Sequence, residues 1–83
     1  MAEERVGTIT DHFAHIGVAA LNLEALIRVG DSVHILGHTT DLTQVVESMQ
    51  IEHEQVEEAK PGDNVAIKVS DRCRHGDVVY KIT

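Results

Sequence analysis

Residues 59–69 read AKPGDNVAIKV, a Pro-Gly-Asp turn that runs directly into a strand of alternating β-branched residues. The core of this stretch, G-D-x-V, is found three times, beginning at Gly30, Gly62 and Gly76. In each copy glycine permits a left-handed backbone, aspartate can bond the amides of the turn, and the β-former that follows starts a strand. The repeated motif predicts a chain of short strands joined by tight turns.

The composition fits a small aliphatic core. The chain has 83 residues, the length of one domain, and 42% of them are hydrophobic. It has one Phe, one Tyr and no Trp, so a core must be built from Val, Ile, Leu, Met and Ala. This composition favours a small barrel over a broad sandwich.

The charge and the cysteine content limit the partners and the compartment. A formal net charge of −7 repels phosphate backbones unless the basic residues are gathered in one place. The single cysteine, Cys73, cannot form an internal disulfide, and no long apolar run marks export or a membrane span. We therefore expect a cytoplasmic protein without nonspecific affinity for nucleic acid.

The patterning predicts an all-β domain over residues 1–83, with residues 1–4 as an acidic tail. Gly7 lies inside the first strand, where a neighbouring backbone can come close. A helix is the alternative for residues 16–23, and a bulge near residues 46–48 would reconcile the pattern of the fourth strand. The expected architecture is a closed or nearly closed antiparallel barrel of about six strands. These strands lie at residues 5–11, 16–23, 32–37, 42–54, 65–69 and 78–82.

One segment carries a family resemblance. Val46-x-Ser48, then Glu52-His53-Glu54, then the run EEAKPGDNV over residues 57–65 resembles the second domain of GTP-dependent translation elongation factors of the Tu and 1A kind. The likeness extends over nearly the whole chain. The chain is also similar to small free-standing elongation factor-like proteins and to a barrel appended to some U32-type peptidase-like enzymes acting on RNA. The resemblance implies a β-barrel of about six strands.

The resemblance also implies what the chain lacks and what it could hold. No G-x-x-x-x-G-K-[ST] loop is present, so we expect no nucleotide site and no GTPase activity. In the elongation factors this barrel helps hold the aminoacylated end of tRNA, and the corresponding positions here are Gln50 and Asn64. Asn64 matches the family, whereas an acidic residue is expected in place of Gln50. An Asn beside a Gly-Asp turn also bonds its own backbone, which is the alternative role of Asn64.

Catalytic and metal-binding patterns are weak. His34 and His38 would lie about 13 Å apart on a strand, too far to chelate one ion. Cys73 and His75 could act as nucleophile and base, with neighbouring arginines lowering the pKa of the thiol, but no third orienting residue is apparent. We therefore predict no catalytic residue, no metal and no cofactor, and we interpret Cys73 as an exposed loop thiol.

A local concentration of positive charge lies late in the chain. If these side chains converge, they form a small basic rim suited to a phosphate or an acidic protein surface. The alternative is a solvated loop balanced by Asp71 and Asp77. The basic set comprises Lys68, Arg72, Arg74, His75 and Lys81.

These observations predict a non-enzymatic interaction module. The main hypothesis is docking on tRNA or a ribonucleoprotein through the basic rim or through Gln50 and Asn64. The alternative is a protein adaptor for an RNA-modifying or U32 peptidase-like enzyme, acting through the exposed edge or the acidic face near residues 52–58. A third hypothesis is a redox or metal module around Cys73 and His75.

Overall fold

The computed structural model describes residues 2–83, and every regular element among them is a β-strand. The expectation of an all-β protein is confirmed, and residues 18–23 form a strand rather than the alternative helix. In chain order the strands are β1 Glu3–Phe13, β2 Val18–Leu23, β3 Ile27–Arg28, β4 Ser32–Leu36, β5 Asp41–Val45, β6 Met49–Ile51, β7 Glu54–Val56, β8 Glu58–Ala59, β9 Asn64–Lys68 and β10 Val78–Ile82.

Eight strands form one antiparallel sheet in the order β5-β4-β10-β1-β2-β9-β6-β7. The remaining two, β3 and β8, pair with each other in a small second sheet. The outermost strands of the large sheet, β5 and β7, are not paired with one another, so backbone pairing does not close the sheet. The expectation of six strands is therefore wrong, and so is the expectation of a closed sheet.

The strand count differs because the run over residues 42–54 is not one strand. β5 ends at Val45, the side chain of Val46 is buried, and a new strand begins at Met49. A two-residue turn at Glu52 and His53 then reverses the chain into β7. The bulge expected near residues 46–48 is instead a break between β5 and β6.

The three G-D-x-V motifs form the same turn. Their glycines have φ values of 97°, 92° and 94°, which places them in the left-handed region. In each turn an aspartate carboxylate accepts a hydrogen bond of 2.8–3.0 Å from the backbone N–H three residues earlier. A strand then begins at the second residue after each glycine. The mechanics predicted from the sequence are confirmed for residues 28–31, 60–63 and 74–77.

Each turn also forms two backbone hydrogen bonds with one buried residue of another segment. The glycine N–H donates to the carbonyl of that residue, whose own N–H donates to the aspartate carbonyl, with distances of 2.7–3.0 Å. This is the pattern of a G1 bulge, in which two residues oppose one. The bonded residues are Val46, Leu23 and Ile9, all in the core. The repeated motif therefore links segments that are distant in sequence through backbone hydrogen bonds.

The core consists of aliphatic side chains, as the composition predicts. Val33, Ile35, Val65 and Ile67 are fully buried. A Cβ at Gly7 would lie 2.5 Å from the backbone oxygen of Asn22, which confirms the close approach predicted there. Residues 2–83 contain no helix that is long and apolar enough to cross a bilayer.

Candidate binding surfaces

The first surface is the outer edge of β5, which we call the β5 edge and define by Asp41, Thr43 and Val45. The side chain of Gln44 bridges this edge to the backbone of Lys68 and Ser70. Gly37 N–H donates to Thr40 at one end of the β4–β5 hairpin. Since antiparallel pairs alternate, the backbone groups of the β5 edge point away from β4. Within residues 2–83, these backbone groups make no hydrogen bond outside the β4–β5 pairing.

The predicted basic residues are only partly brought together. Arg72 and Arg74 line one cavity of about 360 Å³ beside Asp41 and Leu42. Lys68 lines a second cavity, of about 230 Å³, beside Val45.

Lys81 and His75 lie apart from this group. Lys81 is half-buried and forms an ion pair with Asp31 at 3.4 Å, so its charge is already engaged. His75 is exposed in the last Gly-Asp turn and lines neither cavity. Lys68, Arg72 and Arg74 are the members that flank the β5 edge.

Cys73 does not lie on the surface. Its side chain is 2% exposed, so the interpretation as an exposed loop thiol is wrong. Burial, with the nearby carboxylates of Asp77 and Asp71, raises the pKa of the thiol to about 11. The adjacent arginines therefore do not activate it, and the geometry opposes a nucleophilic or redox-sensing role.

A second surface, the Phe13 groove, contains Gln50 and Asn64. Its floor is formed by Ala20 and Ala66, which are paired across β2 and β9, and its volume is about 630 Å³. Phe13, 39% exposed, forms an apolar wall. Asn64 donates from Nδ2 to Asn22 Oδ1 at 2.7 Å, so its side chain bonds across the sheet rather than within its own turn. The residues carried over from the resemblance therefore do share one groove.

The rim of this groove holds an unusual turn. Glu52 and His53 both have positive φ, 52° and 67°, as a type I′ hairpin turn requires. Such turns favour Asn and Gly, because larger side chains are strained in this conformation. The sequence reading placed these residues on a strand and missed the turn, since neither is a usual turn former.

A third surface, the Val29 groove, combines apolar and acidic side chains. Val29 is 40% exposed and lies with the half-buried Val56 between two adjoining cavities of about 910 and 350 Å³. Glu57 lines both cavities, while Glu47 lines one of them. Glu58 is paired with Arg28 at 3.2 Å. Of the acidic face predicted for residues 52–58, Glu57 and Glu58 thus border an apolar cleft, whereas Glu52 lines the Phe13 groove.

The structure reveals a cluster that the sequence analysis did not identify. His34 is half-buried on β4, with Nδ1 2.7 Å from Glu3 and Nε2 2.6 Å from Asp41. Hydrogen bonds to the Asp41 and Glu3 carboxylates raise the pKa of the imidazole above 6.5. The strand register pairs His34 with Tyr80 on β10 and Thr43 on β5. A polar histidine in the middle of a predicted strand was the available signal for this cluster. The cluster was missed because its partner Glu3 had been assigned to a tail.

No three His, Cys, Asp or Glu side chains within residues 2–83 are grouped so that they could hold a metal ion.

Comparisons with known proteins identify similar chains among peptidases. No family model matches the sequence. An uncharacterized protease of Methanocaldococcus jannaschii is 38% identical over 76 residues, which cover 90% of this chain and 19% of the relative. A collagenase of Porphyromonas gingivalis is 33% identical over 78 residues, which cover 92% of this chain and 22% of the relative. The chain therefore spans about a fifth of the length of the curated relatives that it matches.

Solved structures agree on the fold. The C-terminal domain of a Geobacillus thermoleovorans protein assigned to the U32 peptidases superposes with a TM-score of 0.90 at 24% identity, covering 96% of this chain and 93% of that domain. The selenomethionine form of that domain gives a TM-score of 0.87. The likeness defines the class of fold, that of a U32 peptidase C-terminal domain.

The identification with elongation factors is therefore corrected. The relatives and solved structures described above are proteases and a U32 peptidase domain rather than translation factors. The E-A-K-P-G-D-N-V segment misled the interpretation because the same Gly-Asp turn entering a strand occurs three times in this structure, so the turn by itself does not indicate tRNA binding. Docking on tRNA accordingly has no support from these comparisons.

Proposed function

We propose that this chain is a non-catalytic protein-interaction domain that acts with, or within, a U32 peptidase-like protein. The observation that carries this proposal is the extent of the match: about 90% of the chain corresponds to about a fifth of each longer relative. A segment shared in this way with larger proteases fits a domain that binds or positions the rest of such a protein. The match to a separately solved C-terminal domain supports the same reading.

The Val29 groove is the surface that we assign to this docking. Val29 and Val56 offer an apolar cleft, and burying an exposed valine at an interface stabilises a complex through the hydrophobic effect. Glu47 and Glu57 border the cleft. The complementary partner surface therefore carries an aliphatic side chain flanked by lysine or arginine, and added salt should weaken the complex.

The test is binding to a U32 peptidase-like protein of the same organism from which the equivalent C-terminal segment has been removed. Isothermal titration calorimetry should detect a complex, and Val29→Ser and Glu57→Lys should each weaken it by about tenfold. Ile16→Ser is the matched control, since Ile16 is 61% exposed but lies on the β1–β2 turn, away from the groove. Absence of a complex, or equal loss in the control, would overturn the proposal.

The non-catalytic role has its own test. The isolated chain should not cleave casein or gelatin, and adding it to the truncated U32 peptidase-like protein should change binding or turnover of substrate by that protein. Hydrolysis by the isolated chain, lost in a groove or Cys73 variant, would contradict this role.

We also propose that the chain folds as one domain whose sheet is nearly closed into a barrel. Side-chain bonds from Gln44 to Lys68 and Ser70 support this, because they bridge β5 and the end of β9. A single unfolding transition seen by both fluorescence of Tyr80 and far-ultraviolet circular dichroism is expected. Two separated transitions would contradict it.

A further inference from the structure

The Phe13 groove lies on the outer face of the large sheet. Ala20 pairs with Ala66 across β2 and β9, and Ala66 pairs with Gln50 on β6. Leu21 and Ile67, the residues that follow the two alanines, are fully buried, so alternation turns Ala20 and Ala66 outward. Alanine is depleted in strands, and two alanines side by side leave a shallow floor on which a flat group can lie.

The apolar wall of the groove is aromatic, unlike the core. Phe13 is the only phenylalanine of the chain, and it is exposed at the end of β1 rather than packed in the aliphatic core. The face of an aromatic ring attracts cations, and arginine is the cationic side chain found there most often. Phe13 therefore offers a stacking surface for a guanidinium group.

The polar groups of the groove are mainly hydrogen-bond acceptors. Among residues 2–83, its lining includes the carboxylates of Glu52 and Asp63 and the imidazole of His53, but no lysine or arginine. Asn64 donates across the sheet from Nδ2, and no donor within the described residues bonds to its Oδ1. Asp63 accepts from the backbone of its own turn with Oδ2, and no described donor bonds to its Oδ1. A guanidinium group carries five N–H donors and no acceptor, so it complements this set.

The Glu52–His53 turn holds one of these carboxylates at the rim despite a conformational cost. Both residues have positive φ, a conformation in which Asn and Gly would be relaxed. Strained backbone of this kind concentrates at active sites and ligand clamps. The turn is therefore an observation, independent of charge, that points to a ligand at this rim.

We propose that the Phe13 groove binds an arginine side chain from a basic segment of another protein. The guanidinium group would stack on Phe13 above the alanine floor. Its N–H groups would donate to Glu52, Asp63 and Asn64. The formal net charge of −7 favours the approach of a basic segment. This groove shares no lining residue with the Val29 groove, so the inference stands whether or not the docking proposed above is correct.

The experiment is an NMR titration of the labelled chain with a capped peptide of glycine and serine around one arginine. The ring signals of Phe13 and the amides of residues 50–53 and 62–66 should shift and saturate, with a dissociation constant on the order of 1–10 mM at low salt. Added salt should weaken the binding. A second peptide with citrulline, which keeps the shape of arginine without its charge, should bind about tenfold more weakly.

Variants of the chain separate loss of the site from loss of the fold. Glu52→Asn should weaken the arginine peptide about threefold, although asparagine suits the turn and should not destabilise the protein. Glu54→Asn is the matched control, because it makes the same change in charge at the start of β7 and Glu54 does not line the groove. Phe13→Leu keeps an apolar wall and should weaken the arginine peptide about threefold.

Several outcomes would overturn the inference. They are no saturable shift with about 20 mM arginine peptide, equal binding of the citrulline peptide, or equal loss in Glu52→Asn and Glu54→Asn. Tighter binding of adenosine, seen at the Phe13 ring, would assign the groove to a nucleobase instead. Shifts of the same signals on concentrating the chain alone would assign it to a second copy of this chain.

Discussion

Gln44 and Ser70 are joined across the open side of the sheet, with Gln44 Oε1 accepting a hydrogen bond of 2.9 Å from the backbone N–H of Ser70. The same amide donates from Nε2 to the carbonyl of Lys68 at 2.7 Å. Neighbouring antiparallel strands exchange N–H and C=O groups in a similar way. The side chain of Gln44 therefore substitutes for a strand pair where backbone pairing stops.

Replacing Gln44 by alanine should destabilise the protein. Two hydrogen bonds to backbone groups are lost, together with a longer one of 3.3 Å from Ser70 Oγ. Each backbone-directed bond contributes about 1 kcal/mol net, so the free energy of unfolding should fall by about 1–2 kcal/mol. Urea denaturation followed by circular dichroism measures this change. Gln44→Glu should not restore stability at neutral pH, because a carboxylate can accept from Ser70 but cannot donate to Lys68.

Gln55→Ala is the matched control for this link. Gln55 is exposed on β7, and no hydrogen bond of its side chain is present within residues 2–83. Its replacement should change the free energy of unfolding by less than about 0.5 kcal/mol. Equal effects at Gln44 and Gln55 would show that the bridge to Ser70 contributes nothing.

The His34 cluster predicts a pH-dependent contribution to stability. Because the folded-state pKa of His34 is raised above 6.5, the folded protein binds the proton more tightly than the unfolded chain. This contribution is fully present below pH 6.5 and is lost as the pH rises through the raised folded-state pKa. The difference in free energy of unfolding between the wild type and His34→Gln should therefore be larger at pH 5.5 than at pH 9.

His15→Gln is the control, since His15 is exposed on the β1–β2 turn and makes no ion pair within the described residues. Because this replacement breaks no ion pair of the cluster, it should change the free energy of unfolding by less than about 0.5 kcal/mol. An NMR titration of the imidazole signals should give a pKa for His34 above 6.5. A His34 midpoint at or below 6.5 would contradict the link to Glu3 and Asp41.

The Gly-Asp turns were predictable from the sequence, whereas the strand count and strand order of the sheet were not. Gly30, Gly62 and Gly76 adopt their conformation for local reasons, so a short motif is sufficient to identify it. The division of residues 42–54 into two strands depends on the hydrogen bonds between Val46 and the Gly30 turn, which join residues far apart in sequence. The periodicity of residues 42–54 carries no information about this long-range contact.

The candidate surfaces show the same limit. Gln50 and Asn64 were selected together, and they share a groove, because a motif connected them. Lys68, Arg72 and Arg74 were selected for their charge, but their separation from Lys81 and His75 depends on the fold and is not visible in the sequence. Cys73 was placed on the surface because it lies in a loop, although its side chain is packed in the hydrophobic core.

Burial makes Cys73 unreactive in the folded protein. With a pKa of about 11, Cys73 has a thiolate population at pH 8 that is roughly a hundredfold lower than that of a thiol whose pKa is 9.0. A colorimetric disulfide reagent at pH 8 should therefore label the native chain far more slowly than the urea-unfolded chain. Labelling at similar rates in both states would show that the side chain is accessible without unfolding.

The Glu52–His53 turn predicts that a strained residue can be replaced with a gain in stability. Both residues have positive φ, and a non-glycine residue in that region has a cost of about 1 kcal/mol. His53→Gly should therefore raise the free energy of unfolding by about 1 kcal/mol, and Glu52→Asn should add a smaller gain. Urea denaturation measures both changes. Glu54→Asn is the control, because Glu54 begins β7 and has no positive φ, so asparagine there should give no gain. A loss of stability in His53→Gly would mean that the imidazole makes a stabilising contact that outweighs the backbone strain.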